Sequence, residues 1–383
     1  MSDMEPETPA PDQTASGQPE EGIGICLSGG GYRAMLYHVG ALWRLNEVGL
    51  LASAARISSV SGGSITAAWL ATVWAARGWP SHGVIPAGDF ETTFAQNICR
   101  VADHTIDVPS VLFGCLARAI GEEVAERYDR LLFNGATLQD LPDNPRFVIN
   151  ASNLQTGRLW RFSKPYMEDY TVGRIENPTL RLATAVAASS AFPPILSPVR
   201  LSLKESEYHL RPGFPKPVNH HPPFTTSPVL ADGGVYDNLG IEPVFKRYTT
   251  VLVSDGGAAF KTIPRPHTSW PLQAYRVLHC IDSQVRAQRV RHLMDGFVSG
   301  ERHGCYWGIA TDPGRYANSP LPCDPRKTAK LAAVKTRLRS MPRDLQKRLI
   351  NWGYASCAAS LESNFPQPGR PGASWPYPDQ ALD

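Results

Sequence analysis

The sequence predicts an α/β fold with a mostly parallel central sheet, helices on both faces and a helical C-terminal extension. Three observations support this prediction. Short apolar runs alternate with longer helical segments over most of the chain. Two of these runs end in glycine-rich turns that open helices, which is typical of strands joined by right-handed crossovers. The 383 residues, 42% of them hydrophobic, are enough to bury one large core or two ordinary ones.

Two strand, turn and helix units follow each other near the N-terminus. In each unit an apolar run of strand length ends in a glycine cluster, after which apolar residues recur at helical spacing. The predicted strand, turn and helix are residues 22–27, 28–31 and 32–47 in the first unit and residues 56–60, 61–63 and 64–76 in the second. Successive units of this kind predict parallel strand pairing.

The rest of the chain continues this alternation. A turn signal at Gln155-Thr156-Gly157 predicts a hairpin over residues 147–162. Two short apolar runs, residues 228–231 and 249–254, each end in Asp-Gly-Gly and are interpreted as strands. Residues 204–226 hold five prolines and three histidines and are interpreted as an inserted loop. The predicted helices are residues 88–133, 181–191, 270–298 and 328–362.

Both ends of the chain are predicted to be tails. Residues 1–21 contain six acidic residues and no Lys or Arg, so they cannot bury enough apolar area to offset the cost of ordering. Residues 365–383 carry prolines at a spacing that excludes a helix, and they predict an extended segment that lies over the body or is free. The expected domains are a main domain over residues 22–264 and a helical extension over residues 265–364.

Charge and cysteine usage exclude several classes of protein. The 38 Lys and Arg residues nearly balance 35 Asp and Glu residues. The electrostatic field of the protein is therefore too weak to indicate nucleic-acid binding. The seven cysteines are an odd number without a C-x-x-C pair, which indicates reduced thiols in a cytoplasmic protein. No set of His, Cys and Asp has the spacing of metal ligands, so we expect no metal and no other cofactor.

The sequence predicts at most peripheral contact with a membrane. The most apolar helical stretch, residues 65–76, is too short to span a bilayer, and the acidic N-terminus does not resemble a secretory signal. The body is mildly basic, and Arg286, Arg289, Arg291 and His292 form a cluster that suits lipid headgroups. An ordinary solvated surface is the commoner explanation of both features. No pattern identifies a protein partner.

The glycine cluster Ser28-Gly29-Gly30-Gly31-Tyr32 lies between a predicted strand and a predicted helix. Consecutive glycines let the backbone point its N–H groups toward one anion. Three interpretations remain open for this cluster alone. It is an oxyanion hole for acyl transfer, a dinucleotide fingerprint in which Gly29-x-Gly31-x-x-Ala34 fits G-x-G-x-x-G/A, or a tight turn.

Ser61 discriminates among these interpretations. A nucleotide-binding unit is expected to carry an acidic residue at the end of its second strand, and this chain has Ser61 there. The segment Ser59-Val60-Ser61-Gly62-Gly63 is a G-x-S-x-G nucleophile elbow with Ser59 in place of the first glycine. A nucleophile at one strand end and an anion-binding turn at the adjacent one share a crevice, which favours acyl transfer.

A serine nucleophile needs a base, and the strand ends offer aspartates rather than histidines. No histidine occupies a strand-end loop of the kind that presents the base of a catalytic triad. Asp232 and Asp255 each begin an Asp-Gly-Gly sequence after a predicted strand. A carboxylate beside Ser61 in an apolar crevice has its pKa raised by desolvation, which makes it a usable proton acceptor.

These motifs resemble those of the patatin-like phospholipases. The family's G-G-G-x-R-G loop matches Gly29 to Arg33 and departs at Ala34, and its G-x-S-x-G elbow matches Ser61 and Gly63 and departs at Ser59. Its D-G-A/G motif matches Asp232-Gly233-Gly234, and residues 187–194 are similar to the segment that precedes this motif. The resemblance covers residues 22–260, with the motifs in family order.

The resemblance implies a patatin-like three-layer fold and a lipid acyl hydrolase that acts without a cofactor. Ser61 is then the nucleophile and Asp232 the base, while the amides of Gly29, Gly30, Gly31 and Tyr32 form the oxyanion hole. Asp255 is the second candidate base, with a structural role as its alternative.

Arg33 has two candidate roles: it holds a substrate phosphate or braces the glycine loop. The competing functions are an acyltransferase or thioesterase with the same dyad, a dinucleotide-dependent oxidoreductase, a catalytically silent lipid-binding protein, and a structural interaction protein.

Overall fold

A computed structural model describes residues 18–79, 83–106, 117–193, 196, 198–210, 215–266 and 268–383. Eleven strands within these ranges form one mixed sheet, in the order β11-β10-β1-β2-β3-β4-β5-β6-β8, with β9 paired to β3 and β7. The strands are β1 Glu20–Leu27, β2 Ala54–Val60, β3 Arg146–Asn153, β4 Arg158–Phe162, β5 Tyr166–Asp169, β6 Gly173–Glu176, β7 Val199–Arg200, β8 Tyr208–His209, β9 Val229–Asp232, β10 Tyr248–Asp255 and β11 His303–Gly308.

Helices lie on both sides of this sheet. Their bounds are α1 Gly31–Glu47, α2 Gly62–Arg77, α3 Ala87–Asp89, α4 Gln96–Val101, α5 Ala117–Tyr128, α6 Leu182–Ser189, α7 Gly234–Asp237, α8 Glu242–Phe245, α9 Trp270–Val298, α10 Pro325–Ala332 and α11 Arg343–Asn364. The turn between α3 and α4, Phe90–Ala95, is a π-helix, and a second π-helix, Asp129–Phe133, follows α5. No helix in the described ranges is long and apolar enough to cross a bilayer.

The central strands run parallel and bury side chains on both faces. From β11 through β10, β1 and β2 to β3, all neighbours pair in parallel. Along β10, Leu252 belongs to the larger hydrophobic core, whereas Val251 and Val253 belong to a smaller core on the opposite face. This alternation follows from the two-residue period of a strand. The predicted α/β class with helices on both faces is confirmed.

The antiparallel part of the sheet is more extensive than predicted. The expected hairpin over residues 147–162 forms as β3 and β4, and β5, β6 and β8 extend it by antiparallel pairing. Each of these added strands has four residues or fewer. Runs this short show no clear alternation in the sequence.

The C-terminal region differs from the prediction at two points. The helix expected over residues 328–362 is divided into α10, which ends at Ala332, and α11, which begins directly after Pro342. A proline in the interior would interrupt one continuous helix, whereas at the start of α11 it is tolerated. The second difference is β11, which the helical prediction for residues 265–364 did not include. It pairs with β10 from Thr250↔His303 to Asp255↔Gly308 and completes one edge of the parallel sheet.

The two predicted tails contribute to the described structure. Residues 1–17 of the expected disordered segment lie outside the described residues, but β1 begins at Glu20. The Glu20 amide donates to the Arg247 carbonyl at 2.7 Å, which orders the end of that segment. In the Pro-rich segment, Asn351 on α11 donates to the Tyr377 carbonyl at 2.8 Å, and Leu382 is buried. The segment therefore lies against α11.

Helices α1 and α11 approach so closely that glycine is required at their crossing. A Cβ atom on Gly40 would lie 1.8 Å from the Ile350 carbonyl oxygen, and one on Gly353 would lie 1.8 Å from the Tyr37 carbonyl oxygen. These obstacles are backbone atoms, so an added methyl group forces the helices apart. This contact attaches the C-terminal helix to the helix that follows the glycine-rich turn.

We expect Gly40→Ala to lower the free energy of unfolding by about 1–3 kcal/mol, because the added methyl group overpacks the contact between α1 and α11. Urea denaturation followed by circular dichroism measures this change. The matched control is Gly88→Ala on α3, where a Cβ atom meets no heavy atom within 4 Å. Equal stability of the two variants would contradict the close approach of the helices.

Candidate active site

Ser61 stands at a strained turn between β2 and α2. Its backbone has φ 52° and ψ −120°, a conformation that residues other than glycine rarely adopt. The Ser189 hydroxyl holds the turn by accepting a hydrogen bond from the Ser61 amide at 3.0 Å. A Cβ atom on Gly62 would lie 2.2 Å from the Gly31 carbonyl oxygen, and one on Gly63 would lie 2.5 Å from that of Leu27. Glycine is therefore required at both positions.

The glycine-rich turn lies directly beside Ser61. A Cβ atom on Gly29 would come within 3.1 Å of the Ser61 Cβ. Gly30 and Gly31 have φ values of 145° and 62°, which glycine adopts without steric cost. The nucleophile elbow and the turn predicted to bind an anion are thus packed against each other, as their positions at adjacent strand ends led us to expect.

Two of the four amides predicted for the oxyanion hole are engaged by the protein itself. The Gly29 amide donates to the Asn238 carbonyl at 3.0 Å, and the Tyr32 amide donates to the Arg337 carbonyl at 3.0 Å. The Gly30 and Gly31 amides have no acceptor among the described residues, and both glycines line a cavity. Of the four predicted donors, Gly29 and Tyr32 thus hold the turn in place, whereas the Gly30 and Gly31 amides are left unengaged within the described residues.

Strand register brings Asp232 to Ser61. Strand β2 ends with Val60 opposite Asn150 of β3, and the antiparallel strand β9 ends with Asp232 opposite Ala151. Strand β4 occupies the other edge of β3, so β2 and β9 meet end to end on the same edge. Residues 171 positions apart in the sequence therefore flank one point of the sheet.

The environment of Asp232 makes its carboxylate a stronger base than an ordinary aspartate. Burial raises the pKa of Asp232 to about 7, although hydrogen bonds from the Gly234 amide and the Ser61 hydroxyl act to lower it. The Gly234 amide lies 2.7 Å from Oδ1. A carboxylate with this pKa is ionised in part near neutral pH and can both accept and return a proton.

Asp255 shares the Asp-Gly-Gly sequence but has a different environment. Arg286 binds its Oδ2 atom at 2.6 Å, the Tyr306 hydroxyl donates to the same atom at 2.7 Å, and the Gly257 amide donates to Oδ1 at 2.9 Å. Burial acts to raise the pKa of Asp255, but the Arg286 charge and these hydrogen bonds outweigh it and hold the pKa below its usual value. The side chain is ionised and fully paired, which suits a structural role.

Arg33 braces the glycine-rich turn and does not line the cavity. Its side chain is fully buried, Nε donates to the Gly256 carbonyl at 3.0 Å, and Nη1 donates to the Val334 carbonyl. Burial lowers the pKa of Arg33 to about 10. Two of its guanidinium nitrogens donate to backbone carbonyls on two other segments, and the side chain is not part of the cavity wall, which favours the bracing role over binding of a substrate phosphate.

Several residues near the site were not assigned from the sequence. Ser189 accepts the Ser61 amide and donates to the Asn150 carbonyl at 2.6 Å, so it connects the elbow to β3. Asn238 supplies the carbonyl that holds Gly29. Ser189 lies within residues 187–194, a segment that already resembled the family, and Asn238 ends the stretch that continues the Asp-Gly-Gly motif in the manner of the family. His38 is buried between Ser28 and Ser254, away from the cavity lining.

The cavity in front of these groups has a volume of about 410 Å³. Ser61, Asp232, Gly30 and Gly31 all line it. Its remaining wall is mainly apolar and includes Phe192, Leu196, Phe260, Ile263, Leu272 and Leu338. Within the described ranges, no three His, Cys, Asp or Glu residues are grouped as metal ligands.

Comparison with known families supports the resemblance drawn from the motifs. Residues 89–245 match the patatin-like phospholipase model, and residues 23–105 match the model of the lysophospholipase catalytic domain. The second match contains the glycine turn and Ser61, and the first contains Asp232. None of the curated proteins compared with the chain matches it in sequence. The predicted resemblance to the patatin-like phospholipases is confirmed.

Solved structures resemble this fold at low sequence identity. Human GIVD cytosolic phospholipase A2 in complex with methyl gamma-linolenyl fluorophosphonate has a TM-score of 0.50 and 14% identity, over 89% of this chain and 58% of that chain. The same human protein without this ligand gives 0.49 and 13%, over 89% and 61%. VipD from Legionella pneumophila gives 0.39 and 16%, over 90% and 67%. The chain spans about three fifths of the length of the human structures.

We expect Asp232→Asn to stabilise the protein above pH 7 by an amount on the order of 2–4 kcal/mol. The pKa of Asp232 is raised to about 7 in the folded state, so the native protein binds more protons than the unfolded chain between about pH 4 and pH 7. The free energy of unfolding of the wild-type protein therefore falls from about pH 4 to pH 7. That of the variant does not show this fall, because asparagine does not titrate. Urea titrations from pH 4 to pH 8 measure the difference, and a difference that is independent of pH would contradict the raised pKa.

Asp255→Asn has the opposite expected effect. Its pKa is lowered in the folded state, so the ion pair stabilises the protein above the unfolded pKa and that contribution is lost as pH falls. At pH 7 we expect a loss of about 3–5 kcal/mol, because the largely buried Arg286 charge loses its carboxylate partner. Urea denaturation measures the loss in free energy of unfolding. The control is Asp143→Asn, which removes an exposed ion pair between Asp143 and Lys164. Similar small losses in both variants would refute the structural role.

Proposed function

We propose that this chain, whose residues 89–245 match the patatin-like phospholipase model, is a serine acyl hydrolase that cleaves fatty-acyl esters of lipids, phospholipids among them. One observation carries this proposal. Ser61, the buried Asp232 carboxylate and the glycines with unengaged amides, Gly30 and Gly31, line the same mainly apolar cavity. These are a nucleophile, a base and an anion site, the three parts that acyl transfer needs.

The first half of the proposed reaction acylates Ser61. The Ser61 Oγ attacks the carbonyl carbon of the ester while its proton passes to the Asp232 carboxylate. The pKa of about 7 makes Asp232 a far better acceptor than an exposed aspartate. The protonated Asp232 then gives the proton to the leaving alkoxide as the carbon–oxygen bond breaks, which leaves an acyl ester on Ser61.

The oxyanion that forms during the attack is proposed to bind between the Gly30 and Gly31 amides. Their direction is set in advance, because the Asn238 and Arg337 carbonyls hold the residues on either side. Donors positioned before the reaction need no reorganisation, and removal of one such donor typically costs 10²–10³ in rate. The N-terminus of α2, which begins at Gly62, adds a favourable dipole beneath Ser61.

The second half of the reaction releases the acyl group to water. Asp232, again ionised, takes a proton from the water as the water oxygen attacks the acyl carbonyl. The tetrahedral intermediate collapses with return of that proton to Ser61 Oγ. The apolar wall formed by Phe192, Leu196 and Leu272 suits a hydrocarbon chain, which supports a fatty-acyl substrate.

The geometry supports Asp232 over Asp255 as the base. Asp255 is held by Arg286, Tyr306 and Gly257, so its lowered pKa makes it a poor proton acceptor. Asp232 has a raised pKa and contacts the Ser61 hydroxyl. The cytoplasmic location expected from the cysteine pattern remains a prediction.

The first test of this function is covalent labelling of Ser61 by a fatty fluorophosphonate. This probe type is also the ligand named for the human structure described above. We expect the wild-type chain to be labelled at Ser61 and Ser61→Ala to lose both the label and at least about 10³-fold of its hydrolysis of a fatty-acyl phospholipid. Intact-mass and peptide spectra measure the label, and fatty-acid release measures hydrolysis.

Ser283→Ala is the matched control, because Ser283 lines the same cavity from α9. It is expected to retain label and hydrolysis. Absence of label in the wild-type chain would contradict the nucleophile and favour a silent lipid-binding protein. Label at Ser61 without fatty-acid release, but with acyl products formed on an added alcohol, would assign the dyad to an acyltransferase.

A further inference from the structure

Helix α9 has two opposite functional faces in its first four turns. One face lines the cavity through Leu272, Tyr275, His279, Asp282 and Arg286, which recur at three- and four-residue intervals. The opposite face is apolar and points to solvent through Trp270, Val277, Leu278, Ile281 and Val285. The helix therefore separates the cavity from solvent while it exposes a hydrophobic surface.

The exposed stripe is unusual for a helix of a globular protein. Trp270, Leu278 and Ile281 are 79%, 59% and 55% exposed. Apolar residues at this spacing normally face a core. From Trp270 to Val285 the stripe extends for about 22 Å at 1.5 Å per residue, and none of the described elements buries it. A continuous exposed apolar face of this kind marks an interaction surface.

The stripe continues at the mouth of the cavity. Phe260 and Ile263, in the loop that precedes α9, are 40% and 42% exposed and also line the cavity. Arg276 on α9 lies over the Phe260 ring at 4.0 Å from its centroid and donates to the Lys261 carbonyl. These contacts join the loop to α9, so exposed apolar residues of the loop and the stripe belong to two connected elements beside the cavity.

Two segments beside this surface carry basic residues and no acidic ones. Between Asp255 and Asp282 the sequence has no acidic residue but contains Lys261, Arg265 and Arg276. Residues 325–343, which contribute Arg337 and Leu338 to the other side of the cavity, likewise have no acidic residue. The exposed basic residues of that segment near the cavity include Lys335 and Arg339. The whole chain has nearly equal numbers of basic and acidic residues, so these two segments concentrate positive charge beside the cavity.

We propose that the stripe Trp270, Val277, Leu278, Ile281 and Val285, together with Phe260 and Ile263, is a docking surface for an anionic lipid bilayer. This inference rests on the proposed function, because it explains how a lipid hydrolase reaches its substrate. Apolar side chains enter the interface while the flanking Lys and Arg side chains meet anionic headgroups. A second copy of the chain fits less well, because it would bring the same positive charges together.

Docking in this orientation places the cavity entrance at the bilayer surface. An acyl chain that leaves the lipid layer then passes Phe260 and Leu272 to reach Ser61 without crossing bulk water. The apolar surface on the outer face of α9 and the apolar wall on its inner face become parts of one path. The surface would thereby select substrates held in a membrane over soluble esters.

The test measures sedimentation of the full chain, as Ser61→Ala, with vesicles of phosphatidylcholine alone and with added phosphatidylserine. In this background, we expect strong binding to the mixed vesicles and at least tenfold weaker binding for Leu278→Gln with Ile281→Gln. Arg265→Glu with Lys335→Glu is expected to abolish the preference for phosphatidylserine. The matched controls are Val298→Gln, 90% exposed at the far end of α9, and Lys216→Glu on the remote insertion; both should bind as their parent does.

The outcomes separate docking from catalysis because binding is measured without turnover. With Ser61 restored, the stripe variant should hydrolyse a soluble short-chain ester at the parent rate and vesicle lipid at least tenfold more slowly. Equal vesicle binding by the stripe variant and Val298→Gln would overturn the docking surface. Light scattering tests the alternative of a second copy. If the parent is a dimer that does not bind vesicles, and the stripe variant is a monomer, the face belongs to a contact between two copies of the chain. Vesicle binding without any hydrolysis would instead refute only the proposed function.

Discussion

The site depends on the meeting of two strands on one edge of β3. Strand β2 ends at Val60 opposite Asn150, and β9, which runs the other way, ends at Asp232 opposite Ala151. The two strand ends therefore face each other across consecutive residues of a third strand. A shift of either register by one residue would turn its side chains to the other face of the sheet. The proximity of Ser61 and Asp232, the proposed nucleophile and base, is thus set by backbone hydrogen bonds between these strands.

Close backbone packing is the second constraint. Gly62 and Gly63 leave no room for a side chain between the elbow and the glycine-rich turn, and Gly40 and Gly353 leave none between α1 and α11. Helix α1 starts at the glycine-rich turn, so its position affects the direction of the Gly30 and Gly31 amides. The C-terminal helix is therefore part of the support of the site, although it contributes no reacting group.

Asp232 and Asp255 begin identical Asp-Gly-Gly sequences, but their surroundings shift the two pKa values in opposite directions. Both carboxylates are buried at strand ends and both accept the amide two residues later. Asp255 also has Arg286, which arrives from α9 and keeps it ionised. Asp232 has no such cation paired with it in the described structure and contacts a hydroxyl, so burial dominates its pKa. The same helix that neutralises one aspartate lines the cavity in front of the other.

By itself, the sequence determined the α/β class, the order of the first two strand, turn and helix units, and the candidate nucleophile. These features are local, since hydrophobic periodicity and the conformational freedom of glycine act within a few residues. Only the tertiary structure decided that Gly30 and Gly31, and not Gly29 and Tyr32, have unengaged amides, because the acceptors belong to Asn238 and Arg337. It likewise decided the position of strand β11 and the surroundings of Arg33, Asp232 and Asp255. Each of these depends on a partner distant in the sequence, and no local pattern encodes the distance between them.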